Sequence, residues 1–426
     1  MLNDQRKLLI LSSLGGVLEF YDFIIFALFA SYISASFFPT SDKLASLLIT
    51  FATFAIGYLV RPLGGIVFGH FGDRIGRKVT FTISILMMAF ATLGIGIMPT
   101  YAMIGIAAPV LVVGLRIIQG LSIGGEIPGA ITYVSEAFPH HKGLACGIIF
   151  CALTFGIVLG SIVNALIVSL LSTAQMYSFG WRIPFILGGI FGLFSYLLRK
   201  ELQESSQFLA IEHSIVKFPL LHVLKEHFSF VIAGTFLTAL CAVIVTSLFL
   251  FLPAYFTEIL YLPANAYIWP RTVAIALGSS LSIFFGYLTD IFNPKKLIIL
   301  LACTTGLLAY PIFAIYVHFS NLYVIALIAS SFLMGLSAGI IPRVLSELYP
   351  TKIRYTGIAV SYNLGFAFFG GLTPFISLSL IYYTDWVTTP AFYLITVSVL
   401  ALVSLLVITF QQKKRRILGY SIIDSN

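Results

Sequence analysis

The sequence predicts an all-α membrane protein, twelve transmembrane helices in two six-helix bundles related by pseudo-two-fold symmetry. Three observations carry that expectation. Hydrophobic residues make up 59% of the 426 residues and charged ones 9%, with a mean hydropathy of +1.03, a balance that a soluble surface does not accommodate. Apolar runs recur from Leu8 to Phe410, each near the roughly 20 residues a helix needs to cross a bilayer. The second half of the chain also repeats landmarks of the first, in order.

The first run, 8–31, follows Arg6 and Lys7 and carries Glu19 and Asp22. Those acids and its length argue for a transmembrane helix and against a cleavable signal peptide. Runs 46–69 and 79–98 flank the charged loop "GDRIGRK", 105–131 and 143–170 flank "SEAFPHHK", and 181–198 stops at Arg199 and Lys200. The longest polar interval, 199–227, mixes four acids with four Lys or Arg residues and divides the chain. Runs 228–251, 268–289, 296–317, 321–341, 355–380 and 390–411 complete the count. The expected organisation is an N-terminal bundle over 1–198, a cytoplasmic linker over 199–227, a C-terminal bundle over 228–411 and a cytoplasmic tail over 412–426.

Net charge is +8, yet its distribution points to topology and not to nucleic acid. Arg74, Arg77, Lys78, Lys142, Lys217, Lys225, Lys295, Lys296, Arg343, Lys352, Arg354 and the run from Lys413 to Arg416 fall in alternate loops and at the tail, whereas the intervening loops hold little beyond Lys43, Arg182 and Arg271. That asymmetry predicts a multi-pass plasma (inner) membrane protein with both termini cytoplasmic. Cys146, Cys151, Cys241 and Cys303 lie in apolar runs without ligand spacing and read as packing residues. His70, His140 and His141 lack neighbouring acids or cysteines at ligand spacing, so no metal site is expected. The tail, "QQKKRRILGYSIIDSN", has no heptads; its basic run suits either anionic lipid or topological bias.

The repeat pairs "GHFGDRIGRK" (69–78) with "GYLTDIFNPKK" (286–296), and "GLSIGGEIPGAITYVSEAFPHHKGLACG" with "GLSAGIIPRVLSELYPTKIRYTG". Gly69 and Gly286, Asp73 and Asp290, Glu136 and Glu347, and Pro139 and Pro350 are roughly 215 residues apart. A parallel duplication of six helices places a transporter's substrate site between the halves near the midplane.

"GHFGDRIGRK" resembles the signature loop of the major facilitator superfamily, with Gly69, Asp73, Arg74, Gly76, Arg77 and Lys78 at the signature positions. Gly69 suits close helix approach, and Asp73 suits pairing with a cation or with a neighbouring helix N-terminus. By resemblance this loop is a gating latch for the outward-facing state. "LRIIQGLSIGGE" resembles the superfamily's helix-4 motif. With "EFYDF", "VRPLGGIVFGHFGDRIGRK", "GWRIPFILG" and "LLRKELQESSQF" it is similar to the metabolite:proton symporter family of proline/betaine, citrate, 2-oxoglutarate and shikimate importers. The likeness is densest over the first 210 residues. Gly147, Gly156 and Gly160 keep the antiporter glycine spacing, but Ser161 stands where the antiporter pattern has Pro; this favours symport, although the glycines also suit ordinary helix contacts.

Five charges fall inside the spans, Glu19, Asp22, Arg61, Arg116 and Glu126, all in the first half. At 1.5 Å per residue Asp22 lies about 18 Å and Arg116 about 22 Å from the cytoplasmic helix ends, both near the midplane. Glu19, Arg61 and Glu126 lie shallower, at about 14, 12 and 8 Å. Asp22 and Arg116 are the expected proton-coupling pair, and sugar:proton relatives carry a similar Asp and Arg. Burial favours the neutral acid while a nearby guanidinium favours the ionised one, so relative movement loads or releases a proton. A permanent structural bridge is the alternative. Glu19, Arg61 and Glu126 form a second charged cluster open to relay, substrate or structural roles.

In the second half, Tyr255, Tyr362, Asn363 and Phe366 are the candidate substrate-lining residues. Aromatics with an acid suit an ammonium, and Arg61 or Arg116 suits a carboxylate, so a zwitterion such as proline, betaine or another amino acid uses both. The expected protein imports a small polar metabolite with protons as a monomeric functional unit in a lipid bilayer. It needs no cofactor and is not an enzyme, since no nucleophile–base pair or nucleotide loop is present. An organic-acid:proton symporter, a proton-coupled exporter or antiporter, and a non-transporting membrane sensor are the alternatives.

Overall fold

The computed structural model describes residues 2–41, 43–199, 219–262 and 264–417. Most of the expected linker (200–218) and the end of the tail (418–426) lie outside them, as do the side chains of Glu19, Arg77 and the basic run from Lys413 to Arg416. Among the described residues the chain is helical, with no strand. Helices satisfy every backbone donor and acceptor internally, which is what an apolar solvent demands.

The first half is built from α1 (Leu2–Leu28), α2 (Ala30–Phe37), α3 (Lys43–Ile75), α4 (Arg77–Ile97), α5 (Ala107–Ala137), α6 (Lys142–Leu170) and α7 (Arg182–Arg199). The second contains α8 (Pro219–Glu226), α9 (Phe228–Val245), α10 (Ala264–Ile291), α11 (Pro294–His318), α12 (Tyr323–Leu348), α13 (Arg354–Leu364), α14 (Thr373–Thr384) and α15 (Pro390–Ile417). Among the described residues ten helices are long and apolar enough to cross a membrane, and the pair Thr173–Gly180 and Arg182–Leu197, bent by 41°, makes an eleventh. The 27-residue α1 extends about 40 Å at 1.5 Å per residue and supplies the twelfth. Large apolar side chains such as Leu63, Phe90, Leu307 and Leu406 face outward, the surface a lipid environment favours.

The chain forms two compact units, 1–130 with 152–204, and 131–151 with 205–426. In the first, α4 lies along α7 because residues 189 and 192 are glycines: a Cβ there would overlap Leu93 and Ala89. The α3–α5 crossing is closer still: a Cβ on Gly120 would strike the Gly57 carbonyl. An aromatic core of Phe26, Phe29, Phe37, Trp181 and Phe185 closes one end. There Arg182 stacks over Trp181 at 4.4 Å and donates to the Gly96 and Met98 carbonyls at 2.9 and 2.7 Å, so "GWRIPF" ties α7 to the end of α4. Gly76, between α3 and α4, has φ +113°, a conformation that L side chains rarely adopt.

In the second unit α10 packs along α12, and α15 against α9 and α11. Two of its spans contain π-helical turns, Thr246–Leu250 and Gly365–Gly370. They are joined by a 2.9 Å Thr246–Thr373 hydroxyl contact. Such turns widen the helix and occur often at functional sites.

Candidate functional site

Asp22 projects from α1 into a wall formed by α4 and α7 and is 1% exposed. The wall exists because position 188 is glycine: a Cβ there would overlap Asp22 Oδ1 and crowd Tyr21 and Thr92. Thr92 on α4 stands in hydrogen-bonding reach of the carboxyl, while Oδ1 is buried without a hydrogen-bond partner among the described residues. A buried carboxylate oxygen left in that state costs free energy.

Arg116, fully buried on α5, makes no ion pair with Asp22 among the described residues. Its Nη1 donates to Gln119 Oε1 at 2.7 Å, one helical turn further on. Gln119 Nε2 donates to Thr92 Oγ1 at 2.8 Å, leaving the Thr92 proton free to point at Asp22. The acid and the guanidinium, expected to act as a pair, are therefore linked by way of Gln119 and Thr92, the Thr92 hydroxyl lying in reach of the carboxyl. The guanidinium also sits over the rings of Phe23, Phe26 and Phe54, at 4.8, 4.5 and 5.0 Å, contacts worth about 0.5–2 kcal/mol each. Gly57 leaves it room, since a Cβ there would come within 3.1 Å of Nη2.

The shallower cluster is only partly visible because the Glu19 side chain lies outside the described residues. Arg61 is buried beside Tyr58 and Phe23, 5.4 and 6.0 Å from the ring centres. Glu126 is buried and accepts from Ser84 Oγ at 2.6 Å. Asp22 and Glu126 share a small cavity whose wall includes Ser122 and the α4 residues Ile85, Met88 and Ala89. In the signature loop, Asp73 is buried at the end of α3, and the exposed Arg74 meets His70 at 3.3 Å. Gly69 is buried and Lys78 half-buried.

The second unit displays at Asp290 the chemistry expected of its repeat counterpart Asp73. Asp290 accepts from the backbone N–H of Gly143 and Leu144, both at 2.8 Å, at the N-terminus of α6, where helix polarity favours an anion. Arg343 bridges Asp290 and Glu347, and Arg354 pairs with the buried Glu136 at 3.1 Å. The repeat-matched acids Glu136 and Glu347 each thus hold an arginine.

Tyr362 and Phe366, 4.6 Å apart and stacked, lie where α13 gives way to the π-helical turn, and Phe150 meets Tyr362 at 6.4 Å. Asn363 donates to Ala359 O at 2.8 Å. The Tyr255 hydroxyl donates to Val387 O at 2.8 Å and its ring packs on Phe251 and Phe313. Gly147 and Gly156 are close-approach points, against Ser282 and Val17 respectively, and Ser161 donates to Ile157 O within its own helix.

Gln119, Thr92 and Gly188 did not stand out as functional in the sequence. Two of them lie inside strings already notable, "RIIQG" and "GWRIPFILG". Their joint role becomes visible only when α1, α4, α5 and α7 are placed side by side.

Buried charges inside a helical membrane bundle, in this polar chain and in the shallower pair Arg61 and Glu126, are the construction of a transporter. The Major Facilitator Superfamily model matches residues 12–280, and the chain belongs to that superfamily. A putative proline/betaine transporter of Staphylococcus aureus (strain COL) is 34% identical over 414 residues, covering 95% of this chain and 88% of its own. A citrate-proton symporter of Klebsiella pneumoniae is 31% identical over 392 residues, 89% and 86% of the two chains. Among solved structures, the proton:xylose symporter XylE superposes with a TM-score of 0.79 over 95% of each chain at 16% identity, which supports the shared fold. The resemblance read from the motifs to the metabolite:proton symporters is borne out by these relatives.

Proposed function

We propose that the protein is a proton-coupled symporter that imports a small zwitterion, such as proline, betaine or another amino acid, across an inner membrane by alternating access. The observation that carries the proposal is the buried chain Asp22–Thr92–Gln119–Arg116. An ionised Asp22 attracts Arg116 through two polarisable links, and a protonated Asp22 releases it, so proton loading changes how firmly α1, α4 and α5 are held together. A substrate carboxylate near the aromatic-flanked Arg116 competes for the same guanidinium. The bundles 1–198 and 228–411 are the moving bodies of alternating access, with both termini cytoplasmic and the Asp73 loop acting as a latch. Tyr362, Asn363 and Phe366, beside a π-helical turn, are the substrate-lining residues favoured in the second half.

A second reading, a di- or tricarboxylate:proton symporter, draws on the Klebsiella pneumoniae citrate-proton symporter and on two buried arginines, Arg61 and Arg116. Uptake into proteoliposomes under an imposed pH gradient, acidic outside, separates the two. Accumulation of radiolabelled proline or glycine betaine is expected, with Asp22→Asn retaining exchange while losing uphill uptake. Accumulation of citrate alone would select the second reading. Normal pH-driven accumulation by Asp22→Asn would remove Asp22 from coupling.

A further inference from the structure

Four helices of the first unit present matching faces to one cavity. Leu18 and Asp22 on α1, and Gly188 and Gly192 on α7, are each one helical turn apart; Ser84, Met88 and Thr92 follow the same spacing on α4. Thr92 contacts Asp22 and Ser84 contacts Glu126, so the partners of the two acids are separated by about 12 Å along α4. Between those levels lies a free volume of about 10 Å³ that both acids line, about the room taken by the centre of one water molecule. Ser122 is on its wall and directs its hydroxyl to the Ser84 carbonyl. The orphaned Asp22 Oδ1 supplies an acceptor for that water.

We propose that Glu126 is the proton acceptor for Asp22, reached through one water in this cavity, and that the Asp22–water–Glu126 path carries the coupled proton toward the end of the bundle that bears Asp73. This deepens the coupling proposed above and rests on it. The step is balanced: protonated Asp22 gives its proton to the water while the water gives one to the Glu126 carboxylate. Asp22 ends ionised, Glu126 neutral and the water unchanged. Among the described residues the cavity walls from α4 and α7 bring no ionisable group. Among the described residues the surrounding titratable and charged groups are Tyr21 on α1, Tyr58 and Arg61 on α3 and Arg116 on α5. Of these, Tyr21 donates its hydroxyl to the Pro184 carbonyl at 3.0 Å, and Arg116 is engaged with Gln119. Among the described residues Glu126 is thus the carboxylate that shares the Asp22 cavity, and it stands on the same α5 face as Gln119 and Ser122.

Infrared difference spectroscopy on the full-length protein in lipid tests the path without needing a known substrate. A protonated Asp22 gives a carbonyl band that Asp22→Asn abolishes, and transfer to heavy water reports how fast its proton leaves. Glu126→Gln keeps an acceptor for Ser84, and Ile85→Phe fills the cavity while retaining both acids. Both are expected to slow exchange of the Asp22 band by about 100-fold, the lower range of what a positioned acid or base contributes. Exchange at the wild-type rate in either variant overturns the path while leaving Asp22 as the coupling site. Absence of any Asp22-dependent band across the pH range of transport overturns the coupling proposal and the path together. Thermal unfolding of each variant identifies one that has lost its fold; if Glu126→Gln does so, Ile85→Phe decides.

Discussion

Gln119→Leu removes the centre of the polar chain while preserving side-chain bulk. In the structure Gln119 Oε1 accepts from Arg116 at 2.7 Å and Nε2 donates to Thr92 at 2.8 Å. What remains for Arg116 is a 3.4 Å contact to the Phe54 carbonyl and three aromatic faces. Loss of the charged hydrogen bond costs about 1.5–3 kcal/mol, and loss of the neutral one about 1 kcal/mol. Burial of the leucine recovers part of this, leaving about 2–3 kcal/mol, or roughly 30- to 150-fold in an equilibrium. If that energy connects Asp22 to Arg116, it appears as a fall in proton-driven accumulation relative to exchange. The decisive measurement is a cycle with Asp22→Asn. Once the acid is neutral, Gln119→Leu should add little to the loss of coupling, so the two effects should be strongly non-additive. Additivity within about 0.5 kcal/mol, or wild-type accumulation by Gln119→Leu, would refute the chain as the coupling element.

Gly188→Ala places a methyl group against Asp22 Oδ1 and should cost about 1–3 kcal/mol from overpacking, read as a lower unfolding temperature together with weakened coupling. Glu136→Gln strips a buried partner from Arg354 and should destabilise by about 3–5 kcal/mol; the double variant with Arg354→Met should unfold less readily than Glu136→Gln alone. Asp290→Asn retains one acceptor, for the Gly143 amide, but loses the one for Leu144 and the charge facing Arg343, so Asp290→Ala should lower the unfolding temperature further than Asp290→Asn. Gly76→Ala is strained at φ +113° by about 1–3 kcal/mol, whereas Gly105→Ala, at φ +59° with nothing within 4 Å, should cost less; the yield of folded protein compares the two.

The fold was legible in the sequence because its determinants are coarse. Bilayer thickness sets run length, and composition excludes a soluble surface. The internal repeat announces duplication, with Asp290 pointing back to Asp73. The intramembrane charges were legible for the same reason: each is costly in hydrocarbon and stands out one residue at a time. Depth arithmetic placed Asp22 and Arg116 at nearby levels, but depth is one coordinate and contact needs three.

Rotation of each helix about its axis is set by packing of small residues, among them Gly57 against Arg116 and Gly188 against Asp22, and no charge pattern encodes it. The tertiary structure therefore decided that Gln119 and Thr92 stand between the acid and the guanidinium, and that Asp22 and Glu126 share a cavity. It also decided that Tyr255 donates its hydroxyl to the Val387 carbonyl. By itself the sequence determined a twelve-helix transporter with its intramembrane charges in the first half. The identity of their neighbours was left to the packed helices, because polar contacts inside a membrane depend on ångström-scale facing that only the assembled bundle defines.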